Sequence, residues 1–168
     1  MSLTARRGSL RLFSQPATAL WTSPNLLMQK WPARAFTVDA ALDFAPAADG
    51  ETAGLVVFGR DYAWIGLRRT PAGMRVVMTL AMHADQGGAE REIASHDVAA
   101  QAIQLRVAVD ADATCRFAYS VDGRTFTALG PGFAARQGIW VGAKAGLFAV
   151  STPAASTGHA DWDWVRVK

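Results

Sequence analysis

Apolar and polar residues alternate along much of the chain. Every second residue of 36–42 and of 103–109 is apolar, and the residues between them are largely polar. This period of two is typical of a β-strand with one buried face, because successive side chains point to opposite faces. The apolar run 55–58, enclosed by Gly54 and Gly59, predicts a strand that is buried on both faces.

Glycine-containing reversals separate these strands. They occur at 49–50, 72–73, 86–88 and 122–123, and glycine suits them because it tolerates a positive φ. The stretch 117–129 is the clearest hairpin, and its Asp-Gly pair at 122–123 predicts a two-residue type I′ turn. Roughly eleven to thirteen strands, spaced by about 8–12 residues, are indicated, and no segment carries a sustained helical stripe.

This pattern predicts an all-β fold, a two-sheet antiparallel β-sandwich. A chain of 168 residues is long enough to bury most of its apolar surface in one domain. We assign residues 9–168 to a single sandwich domain, with a first strand at 9–13. Residues 1–8 are interpreted as a linker or as residues added for expression.

Charge and composition give little indication of a nucleic-acid or membrane partner. The 17 Lys and Arg residues exceed the 14 Asp and Glu residues, so the formal net charge is +3, but the cations are scattered. Nucleic acid is therefore not an expected partner. No apolar run approaches the ~20 residues of a membrane span, so no membrane partner is expected. The single cysteine, Cys115, lies on the apolar side of an alternating stretch and is predicted to be a small core residue.

Five segments, in order along the chain, resemble the C-terminal concanavalin A-like sandwich of glycoside hydrolase family 43, which includes β-xylosidases and α-L-arabinofuranosidases. They are NLLMQKWP at 25–32, DGETAGLVVFGRDYA at 49–63, CRFAYSVDGRTF at 115–126, GIWVGAKAGLF at 138–148 and ADWDWVRV at 160–167. The first segment has Trp31 where the family usually has Phe. The resemblance implies a concanavalin A-like jelly roll.

The resemblance also implies what the domain does. In that family a five-bladed propeller carries the catalytic carboxylates and precedes the sandwich, and nothing in this chain resembles the propeller. An accessory domain of a hydrolase acting on xylan-derived sugars is therefore implied, not a complete enzyme. The family further implies that the sandwich packs on the propeller and closes part of its sugar pocket with an aromatic residue. By position the matching loop is 137–142, and Trp140 is the candidate.

The chain has six tryptophans, which suit either of two roles. An indole can pack on the apolar face of a sugar ring, or it can fill the core of a sandwich. We favour the core for Trp64, Trp162 and Trp164, which lie in predicted strands. For Trp140, which follows closely on a glycine, both roles stay open, and Trp21 could cap an edge or pack on a missing domain.

Three consecutive polar residues follow the glycine at position 59. Arg60 and Asp61 could fix the tight turn between two strands or line a sugar pocket, and Tyr62 could offer its hydroxyl to a sugar or a partner. Turn formation and interface packing are the favoured interpretation. These residues and Trp140 are the candidates for a sugar pocket or a domain interface.

Asp161 and Asp163 are two residues apart, so in a regular strand they share a face. Carboxylate pairs suit Ca²⁺, and some concanavalin A-like modules hold a structural calcium, so a calcium site is one hypothesis. An exposed polar face is favoured over it, and no cofactor is required. Strict alternation would place Val165 and Val167 on the same side as the aspartates, so a β-bulge near Trp164 is predicted.

Two other classes of function remain open. An autonomous carbohydrate-binding module for xylo-oligosaccharides would need an exposed aromatic platform. A small hydrolase in its own right would need two opposed carboxylates, and the available acids, Glu51, Asp61, Glu90 and Glu92, are predicted to be surface or loop residues.

Overall fold

The alternating segments form fourteen strands in the computed structural model, which describes residues 1–152 and 154–168. In chain order they are β1 (Leu10–Phe13), β2 (Gln15–Pro16), β3 (Leu26–Lys30), β4 (Phe36–Ala45), β5 (Thr52–Phe58), β6 (Tyr62–Thr70), β7 (Gly73–Ala81), β8 (Glu90–Val98), β9 (Ala102–Val109), β10 (Thr114–Ser120), β11 (Thr127–Ala128), β12 (Phe133–Ala134), β13 (Lys144–Ser151) and β14 (His159–Val167). The only helical elements in the described residues are the 3₁₀ turns Leu20–Thr22 and Ala84–Gln86.

The strands form two packed sheets of seven strands each. Sheet A has the order β1-β14-β4-β9-β10-β11, and β12 also pairs with β10. Sheet B has the order β2-β13-β5-β6-β7-β8, and β3 also pairs with β13. Among the described residues, all strand pairings are antiparallel except the two-residue pairing of β2 with β13, so the predicted antiparallel sandwich is confirmed.

The main core lies between the two sheets. On β4 the inward residues are the predicted alternating set, and on β9 they are the set from Ile103 to Val109, all of them buried. The lone Cys115 is also buried there, as predicted. Trp64 and Trp162 are each 2% exposed, whereas Trp164 is only half-buried beneath the guanidinium of Arg166.

A second apolar cluster covers the outer face of sheet B. Val56 and Tyr62 belong to it, and Leu20, in the first 3₁₀ turn, packs over them. Because Leu55 and Val57 point into the main core, β5 is buried on both faces, which confirms the prediction from its continuous apolar run.

Two sequence-based details have different outcomes. The bulge near Trp164 is confirmed, because the pairing of β14 with β4 shifts register between Trp162 and Trp164. The predicted two-residue type I′ turn is wrong, because the pairing of β10 with β11 ends at Tyr119 and Thr127, which leaves a longer loop between them. The Asp122 carboxylate instead accepts hydrogen bonds from the Ser120 hydroxyl and from two backbone N–H groups of the loop, and these bonds hold a longer loop open.

Candidate functional site

The turn between β5 and β6 is built around a buried carboxylate. Asp61 has no exposed surface. It accepts a hydrogen bond from the backbone N–H of His83 at 2.7 Å, and its two oxygens lie 3.3 Å from the guanidinium of Arg136. This one side chain therefore ties the turn to the loop after β7 and to the segment before β13.

Trp140 lies in the loop that docks on this turn. The backbone N–H of Arg60 donates to the carbonyl of Gln137 at 3.2 Å. A Cβ at Gly59 would collide with the carbonyl of Arg136, so the close approach of the two segments requires glycine at that position. The base of the loop is fixed in this way, yet the Trp140 side chain is 92% exposed. The structure thus brings together the elements that carry Arg60, Asp61 and Trp140.

Arg60 forms only a loose ion pair. Its Nε lies 3.9 Å from Oδ2 of Asp85, in the second 3₁₀ turn. Arg60 Nε and Asp85 Oδ1 are both buried and have no hydrogen-bond partner among the described residues. The guanidinium of Arg60 therefore has hydrogen-bonding capacity that the described residues do not use.

Tyr62 supports this site from inside the domain. Its side chain is fully buried, and its hydroxyl donates to Glu90 at 2.7 Å while accepting from the N–H of Leu20 at 3.2 Å. Burial is the main cause, and the nearby Glu90 carboxylate the second cause, of a raised pKa of Tyr62, so the phenol stays protonated and remains a donor. The hydroxyl therefore makes both of its hydrogen bonds within the domain, and a role of Tyr62 at a sugar pocket stays a prediction.

An aromatic stack continues from Tyr62 towards the surface. Phe58 lies parallel to Tyr62 with ring centroids 5.3 Å apart, and Trp21 stacks on Phe58 at 5.4 Å. Trp21 thus packs on the outer face of sheet B, over the interior strand β5, and does not cap an edge of the sheet. The stack also fixes the end of β5 that leads into the Arg60 turn.

The two aspartates near the C-terminus occupy different environments. Asp161 is buried and binds Arg11 through two hydrogen bonds of 2.7 Å, with Arg6 at 3.1 Å. The hydrogen bonds from Arg11 first, and those from Arg6, hold the pKa of Asp161 below its usual value. Asp163 lies at the bulge and is exposed.

The same two aspartates line one polar cleft of about 360 Å³, together with Asp43 and Asp122. The charge of Asp161 is already balanced by two guanidinium groups. Within residues 1–152 and 154–168, no three His, Cys, Asp or Glu side chains are grouped so that they could hold a metal ion. The calcium site stays a prediction.

The four acids weighed as catalytic candidates each have structural partners. Asp61 binds Arg136, Glu90 accepts from Tyr62, and Glu92 pairs with Arg68 at 2.8 Å. Glu51, predicted to be at the surface or in a loop, is instead fully buried and accepts hydrogen bonds from backbone and hydroxyl donors. Sequence reasoning missed it because two of its partners lie at positions 14 and 156, far away in the chain.

Residues 1–8 are attached to the sandwich. Ser2 pairs with Arg11 on the outer edge of β1, and the guanidinium of Arg6 lies 2.6 Å from Asp43. The described part of the chain contains no helix that is long and apolar enough to cross a bilayer.

The whole chain, residues 1–168, matches the family described as the β-xylosidase C-terminal concanavalin A-like domain. The chain belongs to this family. As a concanavalin A-like domain of family 43 enzymes it is an accessory part of a glycoside hydrolase. No curated protein matches this chain.

Solved structures place the domain in larger proteins. A bifunctional GH43-CE protein from Bacteroides eggerthii superposes with a TM-score of 0.89 at 25% identity, over 99% of this chain and 22% of that one. A GH43 glycoside hydrolase engineered to display both endo-xylanase and exo-arabinofuranosidase activity gives 0.89 and 25%, over 99% and 36%. A legume lectin-like domain from Entamoeba histolytica shares the fold alone, with a TM-score of 0.60 at 8% identity over 97% and 84%. This concanavalin A-like domain thus spans about a third or less of the first two proteins.

Proposed function

We propose that this domain packs on the catalytic propeller of a parent family 43 hydrolase and narrows its sugar pocket with Trp140. The observation that carries the proposal is a side chain 92% exposed on a loop whose base is fixed by Asp61 and Arg136. An indole left in water contributes nothing to the core of the sandwich. Aromatic side chains of this kind anchor interfaces and stack on sugar rings.

The proposed substrate class is taken from a relative. That GH43 enzyme was engineered to display endo-xylanase and exo-arabinofuranosidase activity, which supports xylan-derived sugars as the proposed substrates of the parent. We propose no acid–base step for the domain itself. Glycoside hydrolysis requires two carboxylates that are free to act across a common cleft. In the cleft lined by Asp43, Asp122, Asp161 and Asp163, Asp161 is bonded to Arg11 and Asp122 to the backbone of its own loop. The domain's contribution is steric and hydrophobic, because it excludes water and limits the space around the bound sugar.

The test is Trp140→Ala in the parent enzyme, with nitrophenyl xyloside and nitrophenyl arabinofuranoside as substrates. We expect kcat/KM to fall at least tenfold, which is about 1.4 kcal/mol of transition-state stabilisation. Stability of the isolated 168-residue chain should not change, since the indole is exposed to water in it. Ile139→Ala is the matched control, because Ile139 is 50% exposed in the same loop. Equal kinetics for Trp140→Ala and the unchanged enzyme would refute pocket closure.

The exposed indole also suits an autonomous carbohydrate-binding module. Calorimetric titration of the 168-residue chain with xylohexaose separates the two functions, because a module binds sugar without a propeller. Absence of heat at millimolar sugar would exclude the module. Release of nitrophenol from nitrophenyl xyloside by the chain alone would instead show a hydrolase.

A further inference from the structure

The segment 136–142, which carries Trp140, has few ties to the rest of the sandwich. It lies between the strands β12 and β13 and belongs to neither sheet. Among the described residues, every hydrogen bond that joins it to another segment ends at Arg60 or Asp61. These two residues therefore set where the segment lies.

One of the two attachments is a side-chain ion pair. Nη1 of Arg136 lies 3.3 Å from each carboxylate oxygen of Asp61, and the Asp61 side chain has no exposed surface. The other attachment is the backbone bond from the N–H of Arg60 to the carbonyl of Gln137. Substitution of a side chain leaves that bond available, so the ion pair is the part of the attachment that substitutions can test.

The charge of Asp61 is not needed for its other bond. Its Oδ1 accepts from the backbone N–H of His83 at 2.7 Å, and the neutral amide oxygen of an asparagine can accept the same bond. Burying a charge costs free energy unless a cation pairs with it. The charge is therefore best accounted for by its attraction to Arg136, which holds the segment that carries Trp140.

Past Gln137 the chain turns back on itself and forms a short tip. A Cβ at Gly138 would lie 3.0 Å from the carbonyl of Val141, so the two ends of the tip come close together. Within the part of the chain that the structure describes, residues 138–142 form no hydrogen bond with other segments. The position of Trp140 therefore depends on the anchor at residues 136–137, because β13 fixes only the other end of the tip.

We propose that Asp61 is a positioning residue for the sugar pocket of the parent enzyme. Through Arg136 it holds the segment 136–142 in the arrangement that presents Trp140 to the bound sugar. This inference rests on the proposed function, and it requires no contact between Asp61 and the sugar. A loose segment would present the indole only part of the time, and the apparent affinity falls with the fraction of molecules in the competent arrangement.

A double-mutant cycle in the parent enzyme tests this role, with nitrophenyl xyloside as the substrate. Asp61→Asn keeps an acceptor for His83 and removes the charge that attracts Arg136. We expect kcat/KM to fall about threefold or more, since a small misplacement of a positioned group reduces rates by up to about 10²-fold. In the Trp140→Ala background the same substitution should change kcat/KM by less than about 1.5-fold, because two residues that act through one group are not additive.

Two further comparisons separate positioning from general stability. Asp39→Asn is the matched control, because Asp39 is also buried and binds Arg106 at 2.6 and 2.9 Å, but in sheet A. Any loss of kcat/KM that it causes should be the same with Trp140 and with Trp140→Ala. Arg136→Gln should reproduce the loss of Asp61→Asn, whereas Arg136→Lys should restore most of the activity, because an ammonium group keeps the charge.

The isolated 168-residue chain gives a second readout that needs no sugar. The heteronuclear NOE of the Trp140 amide reports motion of the tip on the picosecond to nanosecond timescale. We expect Asp61→Asn to lower it by about a third, which is the difference between a rigid and a flexible backbone. Asp39→Asn should leave it unchanged.

Two results would overturn the positioning role. Equal losses for Asp61→Asn with and without Trp140 would show that the substitution acts on stability alone. An unchanged Trp140 amide would show that other contacts hold the tip.

Failure of the proposed function is a different outcome. If Trp140→Ala leaves kcat/KM unchanged, pocket closure and the positioning role are both refuted. If Trp140→Ala lowers kcat/KM and the loss for Asp61→Asn simply adds to it, the positioning role alone is refuted.

Discussion

Substitution of Glu51 tests whether one buried carboxylate joins three segments that are far apart in the chain. Its side chain accepts hydrogen bonds from the N–H groups of Ala47 at 3.0 Å and Ala48 at 2.8 Å. It also accepts from the hydroxyl of Ser14 at 2.9 Å and from that of Ser156. Replacing Glu51 therefore affects the turn before β5, the end of β1 and the segment before β14 together.

The magnitude follows from these four donors. Glu51→Ala removes the acceptor of all of them, and a hydrogen bond to a charged group contributes about 1.5–3 kcal/mol. The contributions do not add fully, because water enters the space that is left, so we expect a loss of about 3–5 kcal/mol in the free energy of unfolding. Glu51→Gln keeps one acceptor oxygen, and the Ser14 hydroxyl can rotate to accept from its amide, so about 1–2 kcal/mol is expected.

Urea unfolding followed by tryptophan fluorescence measures both losses, with an unchanged m-value as the check on two-state behaviour. Glu92→Ala is the control, because Glu92 is 34% exposed and pairs with Arg68 at the surface. Surface ion pairs contribute about 0–1 kcal/mol. The reasoning fails if Glu51→Ala is no more destabilising than Glu92→Ala.

Three further predictions concern the reactivity of the buried thiol, the loss of stability at low pH, and the close contact between β5 and β6. Burial first, and then nearby aspartates, raise the pKa of Cys115 to about 12, so the thiol should react with DTNB at pH 8 only after unfolding; rapid reaction of the folded chain would contradict its burial. The Arg11 hydrogen bonds lower the pKa of Asp161 below 3.8, so its stabilisation is complete above that pH and is lost as the pH falls through the folded-state pKa. Asp161→Asn should therefore lose less stability between pH 7 and pH 3 than the unchanged protein, and an equal loss in urea melts would contradict this. A Cβ at position 54 would meet the backbone of β6, so Gly54→Ala should cost about 1–3 kcal/mol, whereas Gly142→Ala, which meets open space, should be neutral in the same melts.

The strands could be predicted from sequence because their signals are local. Alternation along 36–42 and 103–109 identified inward faces that the structure confirms. The bulge could be predicted for the same reason. Two aspartates and two valines of β14 could not share one face of a regular strand, and the register shift at Trp162 and Trp164 resolves this conflict.

The loop after β10 shows where a local rule fails. Asp-Gly at 122–123 favours a tight type I′ turn when the aspartate acts only through its backbone. Here the Asp122 side chain accepts from the N–H groups of Arg124 and Thr125, which lowers its pKa to about 2. These bonds favour a wider loop, and sequence patterns do not rank the two arrangements.

The candidate site could be located only in part, because its bonds span long distances in the chain. The turn residues and the aromatic loop were recognisable as segments. The ion pair that joins them connects positions 61 and 136, and no periodicity links residues so far apart. The same limit applies to the phenol of Tyr62, whose partner Glu90 lies two strands away in the order of sheet B.

The loop that carries Trp140 combines a fixed base with a free tip. At its base, Asp61 is fully buried and Arg136 is its cationic partner. Removing one member of such a pair leaves the other charge without a partner. At its tip, the indole is left in water, where a polar residue would serve the isolated sandwich better. A fixed base limits the conformational entropy that the loop loses when a partner binds. Stability of the sandwich alone does not explain this division of the loop, whereas the proposed contact of the indole with a catalytic domain would explain it.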